Sequence, residues 1–452
     1  MTKRTPNAAA VAEFVVGLRQ RSLPPEVEAA ARMCLVDWLG VAIAARDEGA
    51  ARAVRTVVAG WGSGGAHVLF APAASATGAA LANGTMAHCL DFDDTHVGSL
   101  AHLSGPSWAA AFALGTARAS APDAMIRAFL AGFETGGRIG NGGVGDALNE
   151  RGLHSTGFVG CLAAAATSAA SLALDEDGVA RALGAAATQA AGLTASFGTM
   201  AKPFHAGKAA FNGVLSAELA AAGFVPAPDL LEPTGGLATA LIQDGRTRLP
   251  PLDFGGAWEV MRNTFKPYAS CLLTHPVIDA ARELARDLQG SQVERVRVGV
   301  HPMAVQLAGK PVPTTPLEGK FSIAFCAALG LSGRSAAYGD FVPARLSDPA
   351  LRELLSRVEL VTVADMPKTA AWMEVSTFDG TLRRADVPLA RGNPGRALTW
   401  DDIQAKFIGL IEPVLGRDAK RLFEAARRFE TGGDLDTVVQ LTRDPGRVAA
   451  VA

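Results

Sequence analysis

The chain has 452 residues, of which 49% are hydrophobic and 19% are charged, and its formal net charge is -2. Single hydrophobic cores stop growing at about 250 to 300 residues, so a chain of this length is expected to form two domains. The apolar content excludes extensive disorder, and the nearly balanced charge gives no global attraction to nucleic acid or to an anionic membrane.

Alanine-rich segments of helical length fill the first half of the chain, separated by glycine, proline or short polar turns. Alanine is the best intrinsic helix former, and small side chains let helices pack closely. The longest uncharged segment, Gly157 to Leu174, has too little Leu, Ile and Phe to favour membrane insertion, so we predict a buried helix there. Helices are predicted at Glu26 to Ala45, Ser107 to Ala119, Pro122 to Gly136, Val159 to Leu174, Gly178 to Leu193 and Lys208 to Ala222.

The pattern changes in the second half of the chain, where apolar residues alternate with polar ones. This period of two predicts strands at Val293 to Val300 and at Val358 to Val363. A hairpin is predicted from Trp372 to Val387, because Asp379-Gly380 is a strong turn signal between two such runs. Residues 266–397 are therefore predicted to form a smaller α/β domain.

Helical periodicity returns near the C-terminus. Thr399 is a predicted N-cap, because Asp402 follows it by three residues and an apolar helical face comes after both. We expect these last helices to pack against the first ones. The predicted architecture is mainly α, with one large helical domain formed by both chain ends, residues 1–265 and 398–452, and an α/β lid domain at 266–397.

The cysteines indicate a reducing compartment. They are odd in number and widely spread, and no two form a CxxC pair, which argues against a disulfide framework and against a zinc site. We therefore expect a cytoplasmic protein. The five cysteines are Cys34, Cys89, Cys161, Cys271 and Cys326.

The densest polar cluster is NGTMAHCLDFDDTH, residues 83–96, with a further histidine six residues beyond it. If the segment is helical, His88, Asp91 and Thr95 share one face, and Asp93-Asp94 points elsewhere. Part of the cluster is then structural. The residues expected to face a ligand are Asp91, Thr95 and His102.

Three interpretations of this cluster compete. Adjacent aspartates most often form a solvated or helix-capping turn. A magnesium site for a diphosphate substrate would use the carboxylate oxygens that Mg²⁺ prefers, but the chain has no second acidic motif. A general acid/base site, in which a carboxylate orients an imidazole, accounts for the neighbouring histidines as well.

Other histidines lie in short segments punctuated by glycine or proline: RGLHSTG, AKPFHAGKAA, and the segment from KPYASC to THP. Six of the eight histidines fall in these segments or in the cluster, which favours a shared site over separate surface positions. Lys202, among aromatic side chains, could bind a carboxylate. The glycine-rich run at 136–145 has no strand before it and no lysine opening a helix, so we expect a flexible loop there rather than a nucleotide-binding loop.

In this order, these motifs together with GKFSIAF resemble the MmgE/PrpD family, which includes 2-methylcitrate dehydratase, cis-aconitate decarboxylase and an iminodisuccinate epimerase. The match spans roughly residues 30 to 410. The resemblance implies a homodimer whose active site lies between a helical domain and an α/β lid domain. It also implies that no metal and no organic cofactor is needed.

The resemblance further implies a set of site residues. His102 would exchange the proton, Asp91 would orient a histidine, and the remaining catalytic residues would hold carboxylates. Phe325 stands where the family often has tyrosine, so one hydroxyl group is missing from the predicted substrate-binding set. The predicted catalytic residues are His102, Asp91, Lys202, His154 and His275, and the predicted substrate-binding residues are Thr95, His205 and Phe325.

The expected function is that of a cofactor-independent lyase that abstracts a proton next to a carboxylate of a small polycarboxylic acid. A 2-methylcitrate dehydratase-like or a cis-aconitate decarboxylase-like reaction would begin this way. Two alternatives stay open: an epimerase of a small dicarboxylate, and a polycarboxylate-binding protein without turnover, which the missing hydroxyl at Phe325 suggests. The expected partners are the substrate and a second copy of the chain, with no nucleic acid and no membrane.

Overall fold

A computed structural model of the chain describes residues 6–227, 230–232, 235–288 and 291–444. Helices dominate these ranges. They are α1 (Pro6–Gly17), α2 (Pro25–Ala44), α3 (Gly49–Gly60), α4 (Ala76–His88), α5 (Ser104–Ala117), α6 (Pro122–Gly140), α7 (Val144–Glu150), α8 (Ser155–Ser171), α9 (Glu176–Ala187), α10 (Ala201–Ala221), α11 (Leu237–Ile242), α12 (His275–Asp287), α13 (Pro302–Ala308), α14 (Pro316–Gly319), α15 (Ile323–Leu331), α16 (Pro343–Leu346), α17 (Pro349–Ser356), α18 (Trp400–Leu415), α19 (Ala419–Arg428) and α20 (Gly432–Leu441).

Two predicted helices differ most from the structure, each mainly at one end. Helix α9 ends at Ala187 instead of Leu193, because the chain then runs to Gly192, whose carbonyl accepts a hydrogen bond from the His154 amide. Helix α10 begins at Ala201, seven residues before the predicted start. Pro203 is compatible with this earlier start, because the first turn of a helix does not need its N–H groups.

The glycine-rich run at 136–145 is not the flexible loop that the sequence suggested, because α6 continues to Gly140 and α7 follows closely. Glycine is needed where α6 meets its neighbours. A Cβ at Gly140 would lie 2.2 Å from the Ser99 Cβ, and one at Gly137 would lie 2.7 Å from the Glu259 Cβ. The glycines therefore let α6 pack directly against segments that flank the candidate site.

Two sheets complete the fold. Strands β1 (Thr95–His96) and β2 (Asn263–Thr264) pair antiparallel. The larger sheet has the order β4-β3-β5-β6, in which β3 is parallel to β4 and antiparallel to β5, and β5 is antiparallel to β6. Its strands confirm the predicted ones. They are β3 (Val293–Val300), β4 (Val358–Thr362), β5 (Ala371–Thr377) and β6 (Leu382–Val387).

The buried apolar residues form two clusters. The first joins the N-terminal helices to the C-terminal ones, and a Cβ at Gly40 of α2 would lie 2.9 Å from the Phe407 ring of α18. Thr399 and Asp402 form the predicted capping box at the start of α18. The second cluster packs α12 against the larger sheet. The prediction of a mainly α fold with an additional α/β portion is confirmed, while the exact boundaries at 265 and 398 stay a prediction.

None of the helices in the described ranges combines the length and the apolar character that crossing a membrane requires. All five cysteines are buried and free. The cytoplasmic location stays a prediction.

Candidate active site

The candidate site is built on the turn that follows α4, residues 89–94, which we call the catalytic turn. Helix α4 ends at His88, and Asp91 has a left-handed backbone with a φ of +50°. The segment is therefore not continuously helical, and the spacing argument made for a helix does not apply. The turn brings the carboxylates of Asp91 and Asp93 to the same pair of imidazoles.

Asp93 is the carboxylate that orients the histidines. It lies 2.9 Å from the Nδ1 atom of His88 and 3.0 Å from the Nδ1 atom of His102, and the two rings are 4.3 Å apart. Asp93 therefore does not point away from the site, and it is Asp93 that makes the short contacts to both histidine rings, while an orienting role of Asp91 stays a prediction. With Nδ1–H donated to Asp93, the Nε2 atom of each neutral imidazole carries the lone pair.

Asp91 pairs with two lysines instead. Its Oδ1 atom lies 2.6 Å from the Nζ atom of Lys202 and 3.1 Å from that of Lys266. The Nε2 atom of His102 is 3.8 Å from the same oxygen, and the buried Oδ2 atom has no hydrogen-bond partner in the described ranges. Burial opposes ionisation of this carboxyl, but Lys202 and Lys266 outweigh that effect and hold the pKa of Asp91 below its usual range.

Lys202 reaches the site because α10 crosses α4 at very short range. A Cβ at Gly207 would lie 2.1 Å from the Thr85 Oγ1 atom, so only glycine allows this crossing. Lys202 lies in the first turn of α10, and its Nζ atom also donates to the Nε2 atom of His88 at 2.9 Å. The ammonium group therefore bridges His88 and Asp91.

Lys266 is brought in by the pairing of β1 with β2. Thr95 faces Thr264, two residues before Lys266, and the Lys266 Nζ atom donates to the Asp91 carbonyl at 2.9 Å. The hydroxyl of Thr95 lies 3.4 Å from the Nδ1 atom of His102. The sequence prediction missed Lys266, although it opens the KPYASC motif, and it also missed His88 and Asp93 as members of the site.

A cavity of about 50 Å³ lies against these groups. Five of the predicted site residues line it: Asp91, Thr95, His102, His154 and Lys202. The other lining residues combine Lys266 and Asn149 with an apolar wall. That wall consists of Leu100, Phe197, Cys271, Leu272, Leu273, Leu307 and Phe321.

Three predicted site residues do not line the cavity. His205 lies one layer away, with its Nδ1 atom 3.0 Å from that of His154. His275 is fully buried at the start of α12, and its Nε2 atom contacts the Ser270 carbonyl at 3.2 Å. Phe325 packs in the helical core, with its ring centroid 6.1 Å from that of Phe341. Direct contact with a substrate is therefore proposed only for the lining residues.

The imidazoles in this site are neutral at neutral pH. Burial lowers the pKa of His102 to about 3, although Asp93 opposes the change. Burial also lowers the pKa of His88 and His154, and the Lys202 ammonium group acts in the same direction on both. The Nε2 atom of His102 is therefore an unprotonated base beside two ammonium groups.

Four histidine and aspartate side chains of the site lie close enough together to bind a metal ion. One ligand atom from each of His88, Asp91, Asp93 and His102 lies within 4.8 Å of the others. The Lys202 ammonium group, however, already donates to His88 and Asp91, and Asp93 accepts hydrogen bonds from both imidazoles. This donor set fits an internal lysine cation better than a divalent ion.

Comparison with known proteins gives concordant matches along the chain. The MmgE/PrpD N-terminal domain model matches residues 9–249, and the MmgE/PrpD C-terminal domain model matches residues 268–431. The chain is similar to cis-aconitate decarboxylase of Mus musculus, at 26% identity over 82% of this chain and 79% of the relative. It is similar to the Homo sapiens enzyme of that name at 26% identity (82% and 80% covered) and to the one from Aspergillus terreus at 25% (74% and 71%).

Proposed function

Because the chain belongs to the MmgE/PrpD family, we propose that it is a lyase that acts next to a carboxylate of a small polycarboxylic acid. Decarboxylation of a cis-aconitate-like acid is the first reaction to test, since the similar proteins carry that name. One observation carries the proposal: His102 is held by Asp93 through Nδ1 and lines a cavity that two lysines also line.

Substrate carboxylates would bind at the ammonium groups of Lys202 and Lys266. The Oδ1 atom of Asp91 contacts both lysines, so the two ammonium groups are held in place before a ligand arrives. The Oδ2 atom of Asp91 has no partner in the described ranges. Prearranged cations in a site that excludes water stabilise the negative charge that develops during carbanion chemistry. His154 and Thr95, which also line the cavity, would add hydrogen bonds.

His102 would move the proton. An incoming carboxylate raises the pKa of the nearby imidazole, so substrate binding favours uptake of a proton at Nε2. In decarboxylation the bond between carbon and the leaving carboxylate breaks, and His102 would return this proton to the carbon that receives the electron pair. In dehydration the neutral Nε2 atom would instead remove a proton from carbon, the electron pair of that bond would form the C=C bond, and the hydroxide lost from the neighbouring carbon would leave as water with the proton taken up by His102. The same residue therefore serves both reactions, and the substrate decides between them.

A proton NMR screen in deuterium oxide tests this proposal. The substrates are cis-aconitate, 2-methylcitrate and an aspartate- or succinate-like dicarboxylate, and released carbon dioxide is measured in parallel. New alkene signals with or without carbon dioxide support a lyase. Deuterium incorporation with unchanged composition would favour an epimerase, and thermal stabilisation without any turnover would favour a binding protein.

The key variant is His102→Ala, with His67→Gln as a matched control. His67 is also a buried histidine with a lowered pKa, but its Nε2 atom contacts Thr442. We expect His102→Ala to lose turnover with its circular dichroism spectrum unchanged, and His67→Gln to keep turnover. Near wild-type activity in folded His102→Ala would refute the proposed proton transfer.

We also propose that the protein is a homodimer. Large apolar side chains stay exposed just after α3 and at the start of α10, including Trp61 at 55%, Met200 at 54% and Phe204 at 38%. Exposed apolar residues of this size are common at interfaces between subunits. Light scattering after size exclusion should give twice the chain mass, and Trp61→Glu should shift the protein toward the monomer.

A further inference from the structure

Three consecutive backbone carbonyls of the catalytic turn each accept a hydrogen bond from a different lysine whose side chain is largely buried. The three lysines come from segments that are far apart in the chain, at the end of β2, just before α15 and in the middle of α18. The pairs are Lys320 with the Leu90 carbonyl, Lys266 with the Asp91 carbonyl at 2.9 Å, and Lys406 with the Phe92 carbonyl at 2.6 Å.

These lysines are not ordinary surface residues. Lys320 is only 3% exposed, and its ammonium group lies over the rings of Tyr338 and Phe341 at 5.6 and 5.8 Å. Lys406 pairs with the buried Asp37 at 2.6 Å, and its Nζ atom lies 4.0 Å from the centre of the Phe92 ring. A buried ammonium group is costly unless it finds strong acceptors, so each of these lysines depends on the carbonyl it contacts.

The catalytic turn needs hydrogen-bond partners from other segments of the chain. Asp91 adopts a left-handed backbone, which is unfavourable for residues that have a Cβ atom, although aspartate tolerates it better than most. The carbonyls of residues 90–92 lie beyond α4, so the helix does not satisfy them. The lysines supply N–H donors to these carbonyls from outside the turn, and the Asp94 amide in turn donates to the Asp37 carboxylate at 3.0 Å.

We propose that Lys320 and Lys406 are positioning residues that hold the catalytic turn by its backbone, so that Asp91 and Asp93 meet the lysines and histidines of the cavity. Neither lysine lines the cavity, so their effect passes through the turn. The inference rests on the proposed function, because it takes this turn to be a wall of the active site. It adds that residues from beyond position 300 fix the geometry of carboxylates near position 90.

The test compares Lys320→Met and Lys406→Met with the matching arginine variants. Methionine keeps most of the apolar stem and removes the ammonium group, whereas arginine retains a donor that can reach the carbonyl. We expect each methionine variant to lower kcat by about 10- to 100-fold, because misplacement of catalytic groups by about 1 Å has effects of that size. KM should change less than threefold, and arginine should restore much of kcat.

The control is Lys208→Met. Lys208 is a partly buried lysine on α10 that lies over the Phe211 ring and contacts Asn212, away from the catalytic turn. It should leave kcat unchanged. The double variant of Lys320 and Lys406 should lose less activity than the product of the two single losses, since both act on one turn. Methionine variants with wild-type kcat would overturn the proposal, as would losses that simply multiply.

A second measurement does not depend on turnover. Amide hydrogen exchange of peptides covering residues 89–95 should be faster in both methionine variants than in Lys208→Met, and arginine should slow it again. This result separates the two proposals. If the wild-type protein turned over no acid, the proposed function would fail while the exchange data still decided the positioning role; unchanged exchange would overturn that role. If a methionine variant does not fold, the arginine variant and the wild type still provide the comparison.

Discussion

Replacing Asp93 by asparagine removes the charge that both imidazoles share. Both imidazoles contact the same Oδ2 atom of Asp93, so an asparagine with its carbonyl oxygen at that position could still accept from both rings, but it carries no negative charge. The two contacts are 2.9 and 3.0 Å long and buried. A hydrogen bond to a charged group contributes about 1.5 to 3 kcal/mol. Losing that support when His102 becomes positively charged should raise the barrier by about 3 to 5 kcal/mol, or roughly 10²- to 10⁴-fold in kcat.

The assay is kcat at saturating substrate, together with ¹⁵N chemical shifts that report the tautomer of His102. Asp94→Asn is the matched control, because Asp94 lies in the same turn and contacts Ser104 and Asn263 instead of an imidazole. We expect Asp93→Asn to lose activity and the control to keep it within about threefold. An Asp93→Asn enzyme with wild-type kcat and an unprotonated Nε2 on His102 would refute the orienting role of Asp93.

Three further predictions follow from other features of the structure. Burial and the neighbouring Asp37 raise the pKa of Asp94 to about 7, so the contribution of this residue to stability declines as pH rises from about 4 to about 7. The unfolding temperature of Asp94→Asn, measured relative to that of the wild type, should therefore be higher at pH 8 than at pH 5. A difference that does not change with pH would contradict this prediction. Phe325→Tyr should leave kcat/KM within about threefold, because the ring packs against Phe341 off the cavity; a large gain would place the new hydroxyl in the site. Dialysis against a chelator should leave kcat unchanged, since Lys202 occupies the potential metal donors; a loss restored by one divalent ion would contradict that.

The helices and strands could be predicted because their signals are local. Alternation over Val293 to Val300 and the turn at Gly380 specified β3 and the β5-β6 hairpin before any tertiary contact was considered. The helix ends that were predicted wrongly depend on distant contacts. Helix α9 ends at Ala187, and the chain beyond it forms a hydrogen bond from the His154 amide to the Gly192 carbonyl, two residues that are far apart in the chain. Propensity carries no information about such contacts.

The candidate site could be predicted only in part, for a similar reason. The chemistry of Asp91, His102 and Lys202 is visible as residue types in short motifs. The direction in which Asp93 points depends on one left-handed residue, and an aspartate at position 91 does not by itself signal that conformation, because aspartate adopts it only occasionally. Lys266 belongs to a segment that reaches the turn through a two-residue strand pair. Pairs this short have no periodic signature, so the sequence cannot reveal which lysine meets which carboxylate.

The buried charges around the catalytic turn support the proposed polycarboxylate substrate. Four lysines surround the turn: Lys202, Lys266, Lys320 and Lys406. Three carboxylates lie there as well, of which Asp37 and Asp91 pair with lysines and Asp93 accepts hydrogen bonds from histidines. Asp94 retains its proton below about pH 7, so these lysines and carboxylates together carry an excess of positive charge in a medium of low dielectric. An anion with one carboxylate balances that excess. Each further carboxylate shifts the balance and favours a proton on His102. Binding a polyanion would thus favour protonation of His102, the residue that moves the proton. A monocarboxylate of the same shape would bind without this effect.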